Sequence, residues 1–466
     1  MSKYLYGASV QGIQGFIFET NMLQEIVGAS EIVKKINSNF KHKFENNKNI
    51  EILLNAAGNI KVLFENKNEL QKYIIDFEKE IMQSAYGITI SQAVKEIDSN
   101  YIQDDIDKLE KNLKIQRNKP SIPLDLSLNI MKLNSKTAKP LTNNDNDIAS
   151  KQKREAYANW FKAQKIDDKD FEKSKELSYI SNSKNKIAVI HIDGNGLGKL
   201  IPQLGKKLSK FSIALDKATK KAVKDAKDDS MFIREIIVGG DDVTVICNAN
   251  DALKFTKNFL QNFEDNTKEI EELNGIQDKL TACAGIAYCN EKYPFHYAVD
   301  LAEALCSVAK NHSKREQSAL MFHNIQSSNY QTWDKFVKDE LTIKNDNDKE
   351  SIRLDFGAYY LNSKTEPTVE NFMNTLEAYR CDGSPITRLR NWLSELYKSD
   401  KNAQNLLHRI NQIVKEKDNW NCKIMDKNLK FFNKDLSNNT LIIKKDGYKK
   451  TPIYDILQIL SVTEAK

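Results

Sequence analysis

The segment 234–247, REIIVGGDDVTVIC, limits the fold of this chain more than any other stretch. Apolar, β-prone residues flank two glycines and two aspartates, which are poor residues for the interior of a strand. Two strands that meet at a tight turn accommodate such a centre, because glycine and aspartate are favoured in hairpin turns. We therefore predict a hairpin that carries two adjacent carboxylates, Asp241 and Asp242, at its tip.

The order of predicted elements around this hairpin occurs twice in the chain. Residues 1–97 are predicted as β-α-β-β-α-β, which is the ferredoxin-like supersecondary pattern. Residues 186–325 repeat this pattern and continue with a further helix and a last strand. The first hairpin tip reads NAAGN and the second VGGDD, so only the second copy carries the acidic pair.

Two further regions complete the predicted organisation. A chain of 466 residues exceeds one ordinary core, so several domains are expected. Residues 98–185 are highly charged and contain prolines, which indicates a helical connector with loops. Residues 326–466 show helical spacing and one hairpin signal, TLIIKKDGYKKTPI, which indicates a mainly helical C-terminal domain. The predicted fold class is α+β, with two ferredoxin-like units.

Composition limits the class of protein only loosely. The net charge of +6 comes from 70 basic and 64 acidic residues, which suits phosphate ligands without indicating nucleic-acid binding. The sequence has no apolar run of membrane-spanning length and no signal-peptide core, so we expect a cytoplasmic protein without membrane contact. None of the six cysteines forms a CxxC pair, so neither structural zinc nor disulfides are expected.

Three carboxylates are expected to meet at one edge of the second sheet. We expect the strand KIAVIHID to lie beside the hairpin strand that precedes the turn, which brings Asp193 close to Asp241 and Asp242. Clustered carboxylates repel each other unless a cation neutralises them, and hard oxygen ligands suit Mg²⁺ or Mn²⁺. Two such ions would activate an attacking hydroxyl and stabilise the leaving oxygen of phosphoryl transfer. His191 of the same strand is expected to be a core residue.

The segment 193–199, DGNGLGK, lies where this strand passes into a helix. Its glycines leave backbone N–H groups exposed at the helix start, where they could cradle a triphosphate. The spacing fits neither the Walker A motif nor the dinucleotide-binding fingerprint. Lys310, near the end of the helix that begins at Pro294, could reach the β- and γ-phosphates. A solvated basic helix end that complements the helix dipole explains Lys310 equally well.

Together these motifs resemble the large polymerase-cyclase subunit of type III CRISPR effector complexes and, more broadly, the palm/GGDEF nucleotidyl cyclases. In the second copy the resemblance is carried by HIDGNGLGKL, VGGDDVTVI and AGIAYCNEKYPFHYAVDLAEALCSVAKN. In the first copy it is carried by VQGIQGFIFETNMLQEIVGASEIV. It covers residues 1–97 and 186–325, and it implies two facing palm domains that each hold an ATP.

The resemblance implies a metal-dependent nucleotidyltransferase that converts ATP into cyclic or linear oligoadenylates, which are second messengers in antiviral defence. The implied ligands of two Mg²⁺ or Mn²⁺ ions are Asp193, Asp241, Asp242 and the carbonyl of Ile192. The implied nucleotide-binding residues are Gly194, Asn195, Gly196, Leu197, Gly198, Gly239, Gly240 and Lys310. The first palm, with AAGN at 56–59, is expected to bind a nucleotide without catalysing a reaction.

The sequence departs from larger members of this family in two respects. It contains no His-Asp dipeptide of an HD nuclease and no four-cysteine zinc element between the palms, which implies a reduced form. Implied partners are guide RNA, RAMP-type effector subunits, other RNA and product-sensing proteins. Two alternatives stay open: a non-catalytic scaffold subunit of a CRISPR-like ribonucleoprotein that binds RNA and nucleotide, or a GTP-using dinucleotide cyclase.

Overall fold

The structure is a computed structural model, and it describes residues 3–44, 49–56, 58–98, 103–119, 128, 130–142, 146–164, 171–326, 332–344, 351–416 and 422–464. Within these ranges the strands are β1 (Lys3–Gln11), β2 (Ile50–Ala56), β3 (Asn59–Phe64), β4 (Thr89–Ile97), β5 (Lys186–Gly194), β6 (Ile233–Gly239), β7 (Asp242–Asn248), β8 (Ala282–Asn290), β9 (Ala319–Asn324), β10 (Thr342–Ile343), β11 (Ile352–Arg353), β12 (Tyr359–Tyr360), β13 (Ile443–Lys445) and β14 (Tyr448–Lys450). The helices are α1 (Ile13–Ile17), α2 (Leu23–Phe44), α3 (Lys67–Ser84), α4 (Gln103–Arg117), α5 (Ile148–Ala163), α6 (Leu197–Leu204), α7 (Leu208–Ala226), α8 (Ala252–Thr267), α9 (Phe295–His312), α10 (Trp333–Asp339), α11 (Val369–Arg380), α12 (Ile386–Leu396), α13 (Asp400–Glu416), α14 (Cys422–Phe432) and α15 (Ile453–Val462).

The first unit is an antiparallel sheet of order β2-β3-β1-β4, which confirms the predicted ferredoxin-like pattern. Side chains alternate along β1, as strand geometry requires. Tyr6, Ala8 and Val10 pack into the main core with α2 and α3. Leu5 points to the opposite face, where it joins a second apolar cluster with Leu109 and other residues of α4. Both faces of this sheet are therefore covered by helices.

The second unit is a six-stranded sheet of order β12-β9-β8-β5-β7-β6. Strand β5 is central and pairs antiparallel with β7 on one side and with β8 on the other. Our expectation that β5 lies beside β6, the strand before the turn, is wrong. The chain passes from β5 to β6 through helices that pack on the sheet, and a helix about 10 Å wide covers roughly two strand spacings of about 4.8 Å. The position left between the two strands is filled by β7.

Helix α9 packs unusually close to the second sheet because β8 contains Gly285. A Cβ atom at this position would lie 1.9 Å from the carbonyl oxygen of Ala302 in α9, which no side chain can tolerate. The glycine therefore sets the height of α9 above the sheet. Since α9 also contacts β5 and β9, its last turn comes to lie over the end of β5.

The two units share one apolar core. In the first unit, Phe18 and Asn21 meet the start of α9: the ring centroids of Phe18 and Phe295 are 5.6 Å apart, and the Phe295 N–H donates to Asn21 Oδ1 at 2.7 Å. Ser30 of α2 donates to the carbonyl oxygen of Ile236 in the edge strand β6. Hydrogen bonds and ring packing thus fix the first unit against the second.

The C-terminal part combines helices α10–α15 with a small sheet of order β10-β11-β14-β13. The predicted hairpin is confirmed as β13 and β14, with Asp446 and Gly447 both at positive φ, as a two-residue turn requires. The prolines Pro120 and Pro123 of the predicted connector and Ala57 of the first hairpin tip lie outside the described residues. Across the described ranges, every helix is too short or too polar to cross a membrane.

Candidate active site

The predicted acidic hairpin is confirmed. Strand β6 ends at Gly239 and β7 begins at Asp242, and these two residues are paired. The two-residue loop starts with Gly240 at φ 62°, a backbone conformation that glycine adopts without strain. Thr219 of α7 donates a hydrogen bond to the carbonyl oxygen of Gly240 and fixes the loop from behind. The turn is therefore supported by a contact from α7.

The end of β5 meets this tip, as expected from the sequence. Asp193 is directly opposite Asp242 in the β5–β7 register. The Gly194 N–H donates to the carbonyl oxygen of Asp241 at 3.2 Å. A Cβ on Gly194 would lie only 2.8 Å from Asp241 Cβ, so glycine lets the strand end approach the tip. The structure thus brings Asp193, Asp241 and Asp242 together.

The charge of Asp193 perturbs the ionisation of Asp241 and Asp242. Burial, the charge of Asp193 and a hydrogen bond with Asp193 raise the pKa of Asp241 to about 7. Burial and the charges of Asp193 and Asp241 raise the pKa of Asp242 to about 7 as well. Asp242 Oδ1 is buried and accepts no hydrogen bond from the described residues. The cluster therefore holds more negative charge than its protein surroundings compensate.

Lys310, in the last turn of α9, supplies a positive charge beside this cluster. Its side chain is buried, and Nζ lies 2.5 Å from Asp193 Oδ2 and donates to the Gly194 carbonyl oxygen at 2.7 Å. The ammonium is therefore part of the site rather than a solvated helix end. Its predicted contact with phosphates stays a prediction.

His191 lies in the core behind the acidic tip, as the sequence indicates. Its side chain is buried, with Nδ1 at 3.2 Å from Thr244 Oγ1 and at 3.6 Å from Asp242 Oδ1. Burial lowers the pKa of His191 to about 4 despite the nearby Asp193, so the imidazole is neutral near pH 7. The ring packs and accepts or donates one hydrogen bond without adding charge to the site.

The donor set fits a hard divalent cation by its chemistry. It offers three carboxylates, one buried oxygen without a hydrogen-bond partner, and raised pKa values that a cation would relieve. In the described part of the chain, no set of three His, Cys, Asp or Glu side chains is already arranged around a common metal position. Ile192, whose carbonyl is an implied ligand, is paired in the sheet with Val243 and Ala284.

In the glycine-rich loop, residues 193–199, only some of the backbone N–H groups remain available to bind phosphate. The amides of Gly194 and Asn195 are used within the protein, since Asn195 N–H donates to the Thr281 carbonyl oxygen at 2.8 Å. The buried side chain of Asn195 also bonds to Thr281 Oγ1, and that of Leu197 is buried in the core. Helix α6 begins after Gly196, at φ 75°. Its first N–H groups, at Leu197 and Gly198, have no intrahelical acceptor and remain candidates for phosphate.

The first unit repeats the backbone of this site with different side chains. Ser9 is paired with Asn59 in β1 and β3 as Asp193 is paired with Asp242 in β5 and β7. Ser9 Oγ donates to Asn59 Oδ1 at 2.9 Å, so two neutral groups satisfy each other where the second unit has repelling carboxylates. This arrangement gives a divalent ion no anionic ligand.

The helix that follows the fourth strand, α4 in the first unit and α9 in the second, also has a corresponding role in the two units. Arg117, the last residue of α4, donates to Ser9 Oγ at 3.2 Å, just as Lys310 of α9 contacts Asp193. A cation at a helix end thus touches the equivalent strand position in both units. The sequence interpretation placed α4 in a connector and therefore missed this correspondence. The signal in the sequence was that Arg117 follows the end of β4, and Lys310 the end of β8, by a similar number of residues.

Sequence reasoning also missed two residues at the junction of the units. Gln14 of α1 donates through Nε2 to Glu303 Oε1 of α9 at 2.6 Å. Burial and the charges of Asp300 and Asp193 raise the pKa of Glu303. The sequence signal available for Glu303 was its spacing of seven residues from Lys310, because residues seven apart on a helix lie on the same face.

Comparisons with known proteins agree with this architecture. Residues 186–319 match the family model described as Cas10/Cmr2, second palm domain. No curated protein sequence matches the chain.

Solved structures are similar over most of the chain. The Csm1–Csm4 cassette in complex with cA4 gives a TM-score of 0.55 at 13% identity, covering 99% of this chain and 69% of that chain. The cassette with cA3 gives 0.55 at 13% identity, covering 99% and 70%. The cassette with AMPPNP gives 0.53 at 13% identity, covering 87% and 64%.

This chain spans between 53% and 70% of the length of the Csm1–Csm4 chains that it matches. At these sequence identities the solved structures establish only the fold of this chain. The family model identifies which kind of domain the second unit is. Residues 186–319 are thus a second palm domain of the Cas10/Cmr2 type, in a chain whose overall fold is similar to that of the Csm1–Csm4 cassettes.

Proposed function

We propose that this protein is a metal-dependent nucleotidyltransferase that converts ATP into cyclic or linear oligoadenylates. The observation that carries the proposal is the convergence of Asp193, Asp241 and Asp242 at the tip of the hairpin formed by β6 and β7. The similar Csm1–Csm4 cassettes have been solved with cA3, cA4 and AMPPNP, which supports an adenine nucleotide as substrate.

In the proposed reaction, the 3′-hydroxyl of one nucleotide attacks the α-phosphate of another. The bond between O3′ and the phosphorus forms, the bond to the bridging oxygen of the β-phosphate breaks, and pyrophosphate leaves with the electron pair. The hydroxyl proton passes to solvent. Bound Mg²⁺ or Mn²⁺ would polarise the phosphate and the attacking oxygen.

The chain's own residues provide position and charge. Asp193, Asp241 and Asp242 would hold the cations, and the first N–H groups of α6 would bind a triphosphate oxygen. Lys310 keeps Asp193 in place and adds a positive charge beside the phosphates. The first unit, with Ser9 and Asn59 at the equivalent positions, would hold the second nucleotide without catalysing the reaction itself.

The matched structures also suggest a partner. They contain Csm1 together with Csm4, and one is described as a subcomplex of the type III-A CRISPR-Csm interference complex. We therefore propose a RAMP-type subunit as a partner, and the family resemblance adds guide RNA, other RNA and product-sensing proteins to this proposal. The role is antiviral signalling.

The test is incubation of the purified protein with each of the four NTPs and Mg²⁺ or Mn²⁺, followed by mass spectrometry. Pyrophosphate and short oligoadenylates are expected from ATP. The double variant D241A/D242A should lose the products. The matched control is D104A/D105A, which removes an adjacent acidic pair in the first turn of α4 and should leave product formation intact.

Three results would contradict the proposal. Turnover that survives D241A/D242A places the chemistry elsewhere, and products from GTP alone identify a guanylate cyclase. A protein that makes no product in its complete assembly, yet retains RNA in a steeply salt-dependent manner, is a scaffold subunit.

A further inference from the structure

Glu303 lies on the face of α9 that looks toward the acidic tip. Three residues further along the helix, Cys306 Sγ donates to the Cys283 carbonyl oxygen, opposite Asp193 in the sheet. Seven residues further along, Lys310 contacts Asp193 itself. Because helix positions at these spacings share a face, Glu303 belongs to the same row of side chains.

The first unit reaches this row through one residue. Gln14 follows the end of β1 in the short helix α1, and its Nε2 bonds to Glu303 Oε1 at 2.6 Å. Gln14 is exposed and Glu303 is half-buried. The contact therefore lies at the junction of the two units, where a ligand from solvent can reach it.

Glu303 differs in its partners from two acidic residues of the first unit that contact helix α5. Glu19 is paired with Lys153, and Glu25 with Arg154. Among the described residues, Glu303 contacts no lysine or arginine, although the charge of Asp193 acts on it and its own charge acts on Asp242. Gln14 engages only Oε1, and no described donor is bonded to Oε2. Oε2 of this half-buried carboxylate is therefore available to accept a hydrogen bond from a ligand.

The chemistry of a suitable ligand group follows from this position. A carboxylate accepts hydrogen bonds and repels phosphate, so Glu303 does not suit the triphosphate end of a nucleotide. Acidic side chains commonly bind ribose hydroxyls in nucleotide sites. The attacking hydroxyl must arrive close to Asp193 and Asp242, so the part of the nucleotide that meets Glu303 is the sugar rather than the base.

We propose that Glu303 accepts a hydrogen bond from the ribose 3′-hydroxyl of the attacking nucleotide, with Gln14 holding its carboxylate in place. This proposal rests on the proposed function, because it assigns a residue to the acceptor nucleotide of that reaction. The first unit would hold this nucleotide, and Gln14 of the same unit would help to orient the reactive 3′-hydroxyl of the nucleotide through Glu303.

The probe is α,β-methylene-ATP, which cannot react at the α-phosphate, together with its 3′-deoxy counterpart. Their dissociation constants are measured by calorimetry with Mg²⁺ for the wild type and for Glu303→Gln. A hydrogen bond to a charged group predicts that the wild type binds the hydroxyl-bearing ligand about 10- to 100-fold more tightly. In Glu303→Gln this ratio should fall to about three or less. The control Glu316→Gln removes an exposed acid just beyond the same helix and should keep the wild-type ratio.

Turnover of ATP separates this proposal from the proposed function. Glu303→Gln should lower product formation about tenfold or more while its melting temperature stays close to that of the wild type. An active wild type whose ribose ratio and turnover are unchanged by Glu303→Gln overturns the role of Glu303 alone. The same holds if the variant only melts earlier, because a purely structural contact does not alter the ratio. A wild type that neither binds the probe nor forms product overturns both proposals.

Discussion

Lys310 Nζ lies 2.5 Å from Asp193 Oδ2, which ties the end of α9 to the end of β5. The ammonium also donates to the Gly194 carbonyl oxygen, so it links a functional side chain to the backbone at the start of the glycine-rich loop. Because the ammonium is buried, solvent screens these contacts only weakly. Helix α9 is therefore part of the framework of the acidic site, and its position affects both the carboxylates and the loop.

Replacement of Lys310 by methionine should destabilise the fold as well as the site. The change leaves Asp193 without its counter-charge and a buried carbonyl without its donor. We expect the free energy of unfolding to fall by about 1–3 kcal/mol, measured by urea denaturation.

Lys314→Met is the matched control for Lys310→Met. Lys314 is exposed just beyond the same helix, so its replacement should change the free energy of unfolding by no more than about 0.5 kcal/mol. Equal stability of the two variants would show that the contact of Lys310 with Asp193 does not contribute to the free energy of unfolding.

Replacement of Gly285 by alanine should displace α9. The new methyl group would overlap the Ala302 carbonyl oxygen, and backbone atoms cannot move aside as a flexible side chain can. We expect a loss of at least about 1–3 kcal/mol, seen as a lower melting temperature, together with loss of product. Gly15→Ala in α1 meets no atom within 4 Å and should fold normally. A Gly285→Ala protein as stable as wild type would contradict the close packing of α9 on β8.

The contribution of Asp241 and Asp242 to the stability of the metal-free protein should decrease as the pH rises from about 4 to about 7. Folding raises the pKa of Asp241 and of Asp242 to about 7, so these groups bind protons more tightly in the folded than in the unfolded chain. Their stabilising contribution is therefore complete below about pH 4, the usual aspartate value, and is lost as the pH passes the folded value. Urea unfolding in EDTA across this range measures the slope.

The variant D241N/D242N should show a weaker decrease than the wild type in the same buffers. Mg²⁺ binds the deprotonated carboxylates, so its stabilising effect on the wild type should grow over the same pH interval. A wild type and a variant with identical pH dependence would mean that these two aspartates ionise normally.

Manganese binding should depend on the second unit alone. Ser9 and Asn59 occupy the positions in the first unit that Asp193 and Asp242 occupy in the second, so these positions offer no anionic ligand. We expect the triple variant D193N/D241N/D242N to bind Mn²⁺ at least about tenfold more weakly than the wild type, measured by electron paramagnetic resonance of the free ion with nucleotide present. Unchanged Mn²⁺ binding by this variant would place the ions outside the acidic tip.

Much of the site was readable in the sequence because it depends on local rules. A turn of Gly239, Gly240 and Asp241 between two apolar runs predicts a hairpin, and an aspartate that ends a buried strand predicts a side chain at the sheet edge. The alternation of helices and strands predicts the duplicated ferredoxin-like order, which the structure confirms. These features depend on residues within a few positions of one another.

The tertiary structure decided what depends on distant packing. The neighbour of β5 is β7 rather than β6, because a helical crossover is wider than one strand spacing. Likewise, Gln14 and Glu303 are 289 positions apart and meet only because the two units dock. The sequence determined which groups could act as ligands, since side-chain chemistry and turn preference are local properties. Which of them come together was decided by the packing of α9 and α1 against the two sheets, which no local pattern encodes.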